Sequence, residues 1–179
     1  MTVTTFIIFT FIEVLLLALL LLVAYFCING ILTVPWVRTR RQLVDVMFDM
    51  AKVKKGETIV DFGSGDGSIV IEMTEMGAIG IGIERLKPLV WLSRFKAKRK
   101  GLSNKARFIQ GDIFKTKPPE ADVIFLYLFT EFNARLEPIF LKHYPSGTRI
   151  VSRDFTFPNL PLIKTKNVKG TKLHFYKIP

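Results

Sequence analysis

Residues 58–71 read as a strand, a tight glycine turn and the start of a helix: Thr58-Ile59-Val60, then Asp61-Phe62-Gly63-Ser64-Gly65-Asp66-Gly67, then Ile69-Val70-Ile71. A strand that passes this abruptly into a helix is half of a βα unit, and such units build parallel sheets. Glycines let the backbone turn sharply and approach a ligand where a Cβ would block it. The amide donors at the helix N-terminus then face that ligand. The spacing is G-x-G-x-G rather than the G-x-G-x-x-G of dinucleotide sites, and a carboxylate, Asp61, stands two residues before the first glycine. That carboxylate is poorly placed for a pyrophosphate and well placed for an ammonium group. An ordinary structural βα turn is the competing reading of these seven residues alone.

The rest of the chain continues the pattern. Apolar runs at Ile79 to Glu84, Ala106 to Gln110, Asp122 to Leu128 and Thr148 to Asp154 predict strands. Helical spacing predicts helices from Gln42 to Met50, with Thr39 or a neighbour as cap, and then over Ser68 to Met76, Leu86 to Lys100 and Phe132 to His143. Two short strands follow, near Leu162 to Lys166 and Lys172 to Lys177, joined at Lys169-Gly170 with no helix between, so one of them is expected antiparallel. The expected fold is a Rossmann-like, doubly wound, mostly parallel α/β sheet of seven strands, preceded by one transmembrane helix.

That helix is the second strong signal. The first 33 residues hold one charged side chain, Glu13, and Val14 to Val37 holds none. About 20 apolar residues span a bilayer. A cleaved signal peptide would carry a basic start and a shorter apolar core, and Met1 to Thr5 has no Lys or Arg. The domain expectation is therefore an anchor at 1–33 and a catalytic domain at 34–179. Arg38, Arg40 and Arg41 follow the apolar run, which predicts a cytoplasmic or matrix-side domain. Seven extended linker residues reach at most about 25 Å. Residues 34–179 hold all 26 basic side chains against 14 acidic ones, a net charge of +12. An anionic lipid surface and nucleic acid would both attract such a domain; beside an anchor, the lipid surface is favoured and nucleic acid is not expected. The basic run Arg94, Lys96, Lys98, Arg99 and Lys100 reads as a solvated helix end or as a contact for anionic lipid. Cys27, the one cysteine, excludes an intrachain disulfide. No metal-ligand cluster stands out.

Ligands in doubly wound sheets bind beyond the carboxyl ends of the strands. Strand one ends in Asp61 and the turn of Gly63, Ser64, Gly65 and Gly67; strand two ends in Glu84, 23 residues after Asp61; strand three leads to Asp112 and Ile113; strand four leads to Leu126 and Tyr127. Glu84 would accept from a ribose diol and Asp112 from an adenine amino group. The ammonium suited to Asp61, with no phosphate, points to S-adenosylmethionine.

On these motifs, Asp61 to Gly67 and Gly82-Ile83-Glu84, the chain resembles the class I S-adenosylmethionine-dependent methyltransferases. It is most similar to the membrane-anchored protein-lysine methyltransferases, the adenine-nucleotide-translocase and ATP-synthase c-subunit enzymes with their prokaryotic relatives. Val34-Pro35-Trp36-Val37, Phe125-Leu126, Gly147 to Ser152 and Phe175-Tyr176 carry that narrower likeness. Ser68 where Arg is usual, and Arg85 after the acidic residue, depart from it. The resemblance implies methyl transfer to a lysine of a membrane-associated protein, with Tyr127 shaping the acceptor pocket and Asp154 as a weaker catalytic candidate. A lipid amine, an RNA base or a non-catalytic scaffold are the alternatives.

Overall fold

The computed structural model describes residues 3–31 and 39–179. The chain divides into two units, one ending at Trp36 and the other running from Val37 to Pro179. The expected linker and the Val34 to Val37 segment lie outside the described residues.

The first unit is a single helix, α1, Val3–Ile31. Of this, Val3–Tyr25 is long and apolar enough to cross a membrane. Its apolar side chains, Phe6, Leu16 and Leu20 among them, point outward all round. A helix with no polar face has nothing to gain from water on any side.

The second unit is a seven-stranded sheet. Its elements are α2 (Arg41–Ala51), β1 (Thr58–Phe62), α3 (Ser68–Glu75), β2 (Ile79–Glu84), α4 (Lys87–Arg99), β3 (Ala106–Gln110), β4 (Val123–Leu126), α5 (Thr130–His143), β5 (Arg149–Arg153), β6 (Leu162–Val168) and β7 (Thr171–Lys177). The strand order is β3-β2-β1-β4-β5-β7-β6. Strands β1 to β5 run parallel, and β7 is antiparallel to both its neighbours, β5 and β6. Lys169 and Gly170 both take positive φ, as a two-residue hairpin turn with the twist of the strands requires.

Alternation along the strands sorts the core into two layers. Ile59, Val123, Phe125 and Val151 face a cluster with Leu43, Met47, Val70 and Met73 of α2 and α3. The alternate residue Phe62 packs edge-on against Phe140 of α5, with ring centroids 4.9 Å apart. Helices therefore cover both faces, and the sheet reverses its winding between β1 and β4.

One detail departs from expectation. β4 stops at Leu126, opposite the last residue of β1, Phe62; the apolar residues beyond it serve a different purpose, described below. Helix α2 starts after Arg40, the neighbour of Thr39, as expected, though with no side-chain cap bond. The Thr39 hydroxyl instead accepts a hydrogen bond from Arg153 Nη1 at 3.2 Å. The outer strand β6 is exposed along Leu162 to Asn167 and carries Lys164 and Lys166; the opposite edge strand, β3, exposes Arg107, beside Lys105.

Candidate active site

Gly63, Gly65 and Gly67 all have positive φ, so the turn after β1 needs a residue without a Cβ at each step. Two of them also meet close neighbours. A Cβ on Gly63 would lie 3.1 Å from Leu128 Cδ2, and one on Gly67 would lie 2.7 Å from the Phe108 ring and 2.8 Å from Ser93 Cβ. Leu128 thus leaves the strand pattern to cover the turn from the β4 side.

The turn is held from three directions. Gly63 and Ser64 donate backbone N–H groups to Ile83 O of β2 at 2.9 and 3.0 Å. Glu84 Oε2 accepts from Gly65 N at 3.0 Å, while its Oε1 accepts from Leu86 N at 2.7 Å. Helix α4 closes the back: Ser93 Oγ shares its hydrogen between Leu89 O at 2.8 Å and Gly65 O at 3.2 Å, and Lys96 pairs with Asp66. Asp66 Oδ1 also accepts from Ser68 Oγ at 2.7 Å. Burial alone would raise the Asp66 carboxyl, but the Lys96 and Ser68 bonds outweigh it and hold the group below its usual range.

Asp61 is buried, and among the described residues no cation faces it. Desolvation, reinforced by the charges of Glu84 and Asp66, pushes its carboxyl up to about 8. A buried carboxylate in that setting suits an ammonium ligand, whose opposite charge would offset both causes. The Ser64 side chain points toward β2, with its Oγ 2.5 Å from where a Gly82 Cβ would stand. Leu126 is wholly buried. Asp112 is half-buried and uses Oδ1 to accept from Phe114 N at 2.9 Å, which shapes the turn that carries Ile113. Phe114 then packs on Phe132 of α5 at 5.6 Å, with the Arg135 guanidinium 3.8 Å over its ring.

The ends of β4 and β5 assemble an aromatic group. Tyr127 stacks on Phe155 at 6.0 Å, and Phe129 meets Phe155 edge-on at 5.1 Å. The Arg153 guanidinium lies 4.0 Å over the Tyr127 ring. Asp154 has positive φ and faces β7: its Oδ1 accepts from Lys172 N at 2.9 Å, and its Oδ2 pairs with Arg153 Nε at 3.3 Å. Buried Asn133 of α5 holds the segment beyond, donating to Ser152 Oγ, Phe155 O and Thr156 O at 3.2 to 3.3 Å. Glu137, one helical turn on, accepts from Asn159 N at 3.2 Å. His143 bonds its own helix at Ile139 O, and His174 pairs with Thr165 of β6.

Sequence reasoning missed the parts played by Ser93, Lys96, Asn133 and Arg153. Each acts across the fold, and only the serine at the centre of the buried face of α4 carried a local sign, a polar residue where an apolar one belongs.

Comparison with known proteins agrees with this arrangement. The ANTKMT methyltransferase domain matches residues 61–164. A protein-lysine N-methyltransferase of Saccharolobus islandicus is 31% identical over 128 residues, covering 68% of this chain and 77% of that protein. The human lysine N-methyltransferase named for the ATP synthase c-subunit is 28% identical over 125 residues, covering 70% of this chain and 53% of its own length, so the chain spans about half of that relative. Among solved structures, an RNA methyltransferase from Salinibacter ruber in complex with S-adenosyl-L-homocysteine aligns with a TM-score of 0.77 and 37% identity, over 80% of this chain and 94% of that one. The glycine turn, the buried Asp61 and these likenesses converge: the chain belongs to the ANTKMT methyltransferase family and is an S-adenosylmethionine-dependent methyltransferase.

Proposed function

We propose that the chain methylates a lysine side chain of a membrane-associated protein, from a catalytic domain held at the bilayer by an anchor over residues 1–33. The observation that carries the acceptor assignment is the aromatic group of Tyr127, Phe129 and Phe155 at the ends of β4 and β5. Such a site desolvates an amine, and desolvation favours the neutral form that attacks. The relatives named as lysine methyltransferases support the same acceptor.

S-adenosylmethionine supplies an activated methyl group, so this chain's residues have mainly to position two reactants. Asp61 would hold the ammonium group. Glu84 has two backbone donors fixing its carboxylate, and its remaining lone pairs would accept from the ribose hydroxyls. Asp112 would accept from the adenine amino group, with Ile113 against the ring. Gly63, Gly65 and Gly67 provide a wall without side chains; Ser64 contributes backbone and packing, and Leu126 its carbonyl. Tyr127 and Phe155 exclude water around the acceptor amine, and Arg153 disfavours its protonated form through like charge. Asp154 holds the β5–β7 junction rather than taking the proton.

The anchor reading draws on the apolar α1 and on the basic side chains that follow it. A second reading, RNA methylation, draws on the name of the Salinibacter ruber relative and on the net charge of +11. Incubating the full chain with isolated membranes, total RNA and radiolabelled S-adenosylmethionine separates the readings. Label in a membrane-protein band is expected. Label confined to RNA, or to extractable lipid, would overturn the lysine assignment.

A further inference from the structure

Helix α4 is built inside out for a water-soluble surface. Its buried face is Leu89, Val90, Ser93 and Ala97, while its bulkiest apolar side chains are outside. Trp91 is 74% exposed, Phe95 58% and Leu92 38%. Pro88, Trp91, Leu92 and Phe95 recur at helical spacing and form one ridge opposite the buried stripe.

The ridge is bordered by cations. Lys87–Arg99 contains five Lys or Arg residues and no Asp or Glu. Lys96 is engaged with Asp66, and Arg94 donates to Phe108 O at 2.7 Å. Arg99 lies 5.8 Å over the Phe95 ring, and Lys87 and Lys98 stand exposed along the same side. Tryptophan, phenylalanine and leucine in one stripe flanked by lysine and arginine is the composition of a helix that lies in a bilayer interface.

We propose that the outer face of α4 is a membrane contact in its own right, seating Pro88, Trp91, Leu92 and Phe95 among the headgroups of an anionic lipid surface. Charge complementarity selects this occupant: a second copy would bring its own flanking cations against Lys87 and Lys98. The contact fixes more than position. Through Ser93 and Lys96 the inner face of the same helix holds Gly65 and Asp66, so a lipid-seated α4 carries the glycine turn at a set orientation to the bilayer. The proposal draws on the anchoring proposed above for its local lipid concentration, and the two are separable by experiment.

The chain has two tryptophans, Trp36 and Trp91, so Trp36→Phe leaves Trp91 as a sole reporter. The full-length variant would be reconstituted in vesicles of phosphatidylcholine, with and without phosphatidylserine, carrying brominated acyl chains. Flotation that survives high salt reports the anchor; quenching of Trp91 emission reports α4. The expected result is strong quenching in the anionic vesicles and weak quenching in neutral ones. Lys87→Ser and Lys98→Ser should each lower the ratio of lipid-seated to free α4 about five-fold. Salt-labile flotation with Trp91 quenched would remove the anchor and leave this proposal standing. Flotation with Trp91 unquenched in both compositions overturns it. So does shielding of Trp91 that needs no lipid and grows with protein concentration, which would assign the ridge to a second copy.

Discussion

The Arg153 guanidinium lies 4.0 Å over the ring of Tyr127, so a fixed positive charge sits on the aromatic face nearest the ends of β4 and β5. Beside an acceptor amine, that charge would oppose protonation. Arg153→Met removes it while keeping much of the bulk. With membranes as acceptor, the acid limb of the rate profile should move to higher pH by roughly one unit. An unmoved limb with a lower plateau would mean that Arg153 only braces Tyr127 and Asp154.

With Asp61 as the proposed partner of the ammonium group, binding of S-adenosylmethionine should depend on pH. Burial, with the charges of Glu84 and Asp66, pushes the Asp61 carboxyl up to about 8, so below that pH it holds a proton that an ammonium partner must displace. Affinity should climb by about tenfold per pH unit between pH 6 and 7, with a proton released on binding. Calorimetry in buffers of different ionisation enthalpy measures that proton directly. Asp61→Asn should abolish the proton release and weaken binding at pH 8.

The same shift has a stability consequence of opposite sense. A carboxyl raised on folding binds its proton more tightly in the folded chain than in the unfolded one. Stability of the free protein should therefore fall as pH rises from about 4 to about 8. Thermal melts of Asp61→Asn should show a flatter pH dependence, and a higher Tm than the parent chain at pH 8.

Gly67 combines a positive φ with contact on two sides, Phe108 and Ser93. Gly67→Ala adds left-handed backbone strain and overpacking, together about 2–4 kcal/mol. For a domain of this size that corresponds to a Tm lower by roughly 5–10 °C. An unchanged melt would overturn both the strain and the overpacking assigned to this position.

Asn133 should separate acceptor positioning from binding of the methyl donor. Its hydrogen bonds go to Ser152 of β5 and to the backbone of Phe155 and Thr156 just beyond, and to none of the residues proposed to hold S-adenosylmethionine. Asn133→Ala is expected to slow methyl transfer about tenfold by loosening Phe155, with donor affinity kept within about twofold. An equal loss of both would place Asn133 in the general fold instead.

The contrast between Gly67 and Asn133 also marks what could be read from the residues alone. Gly63, Gly65, Gly67 and the carboxylates ending β1 and β2 are demanded by local backbone geometry and strand-end position, so they stand out in a linear chain. Asn133, Ser93 and Lys96 act on partners 19 to 30 residues away; apart from the misplaced polarity of Ser93, nothing in their neighbourhoods announces this. Leu128 shows the cost of reading periodicity alone: it is apolar because it roofs Gly63, and the same apolarity extended the expected fourth strand past its true end at Leu126. The sheet's seven strands and its antiparallel turn at the end were legible for the opposite reason, since apolar runs, glycines and the missing helix between β6 and β7 are all local.

The two outer strands of the sheet carry lysine and arginine toward open solvent, Lys164 and Lys166 on β6 and Arg107 on β3. A free strand edge is a template on which another chain can add. Here either edge would meet its counterpart with like charge. Held in the plane of a membrane by the anchor proposed above, copies of the enzyme would meet far more often than in three dimensions. Those few cations would keep such encounters from growing into a continuous ribbon of shared strands.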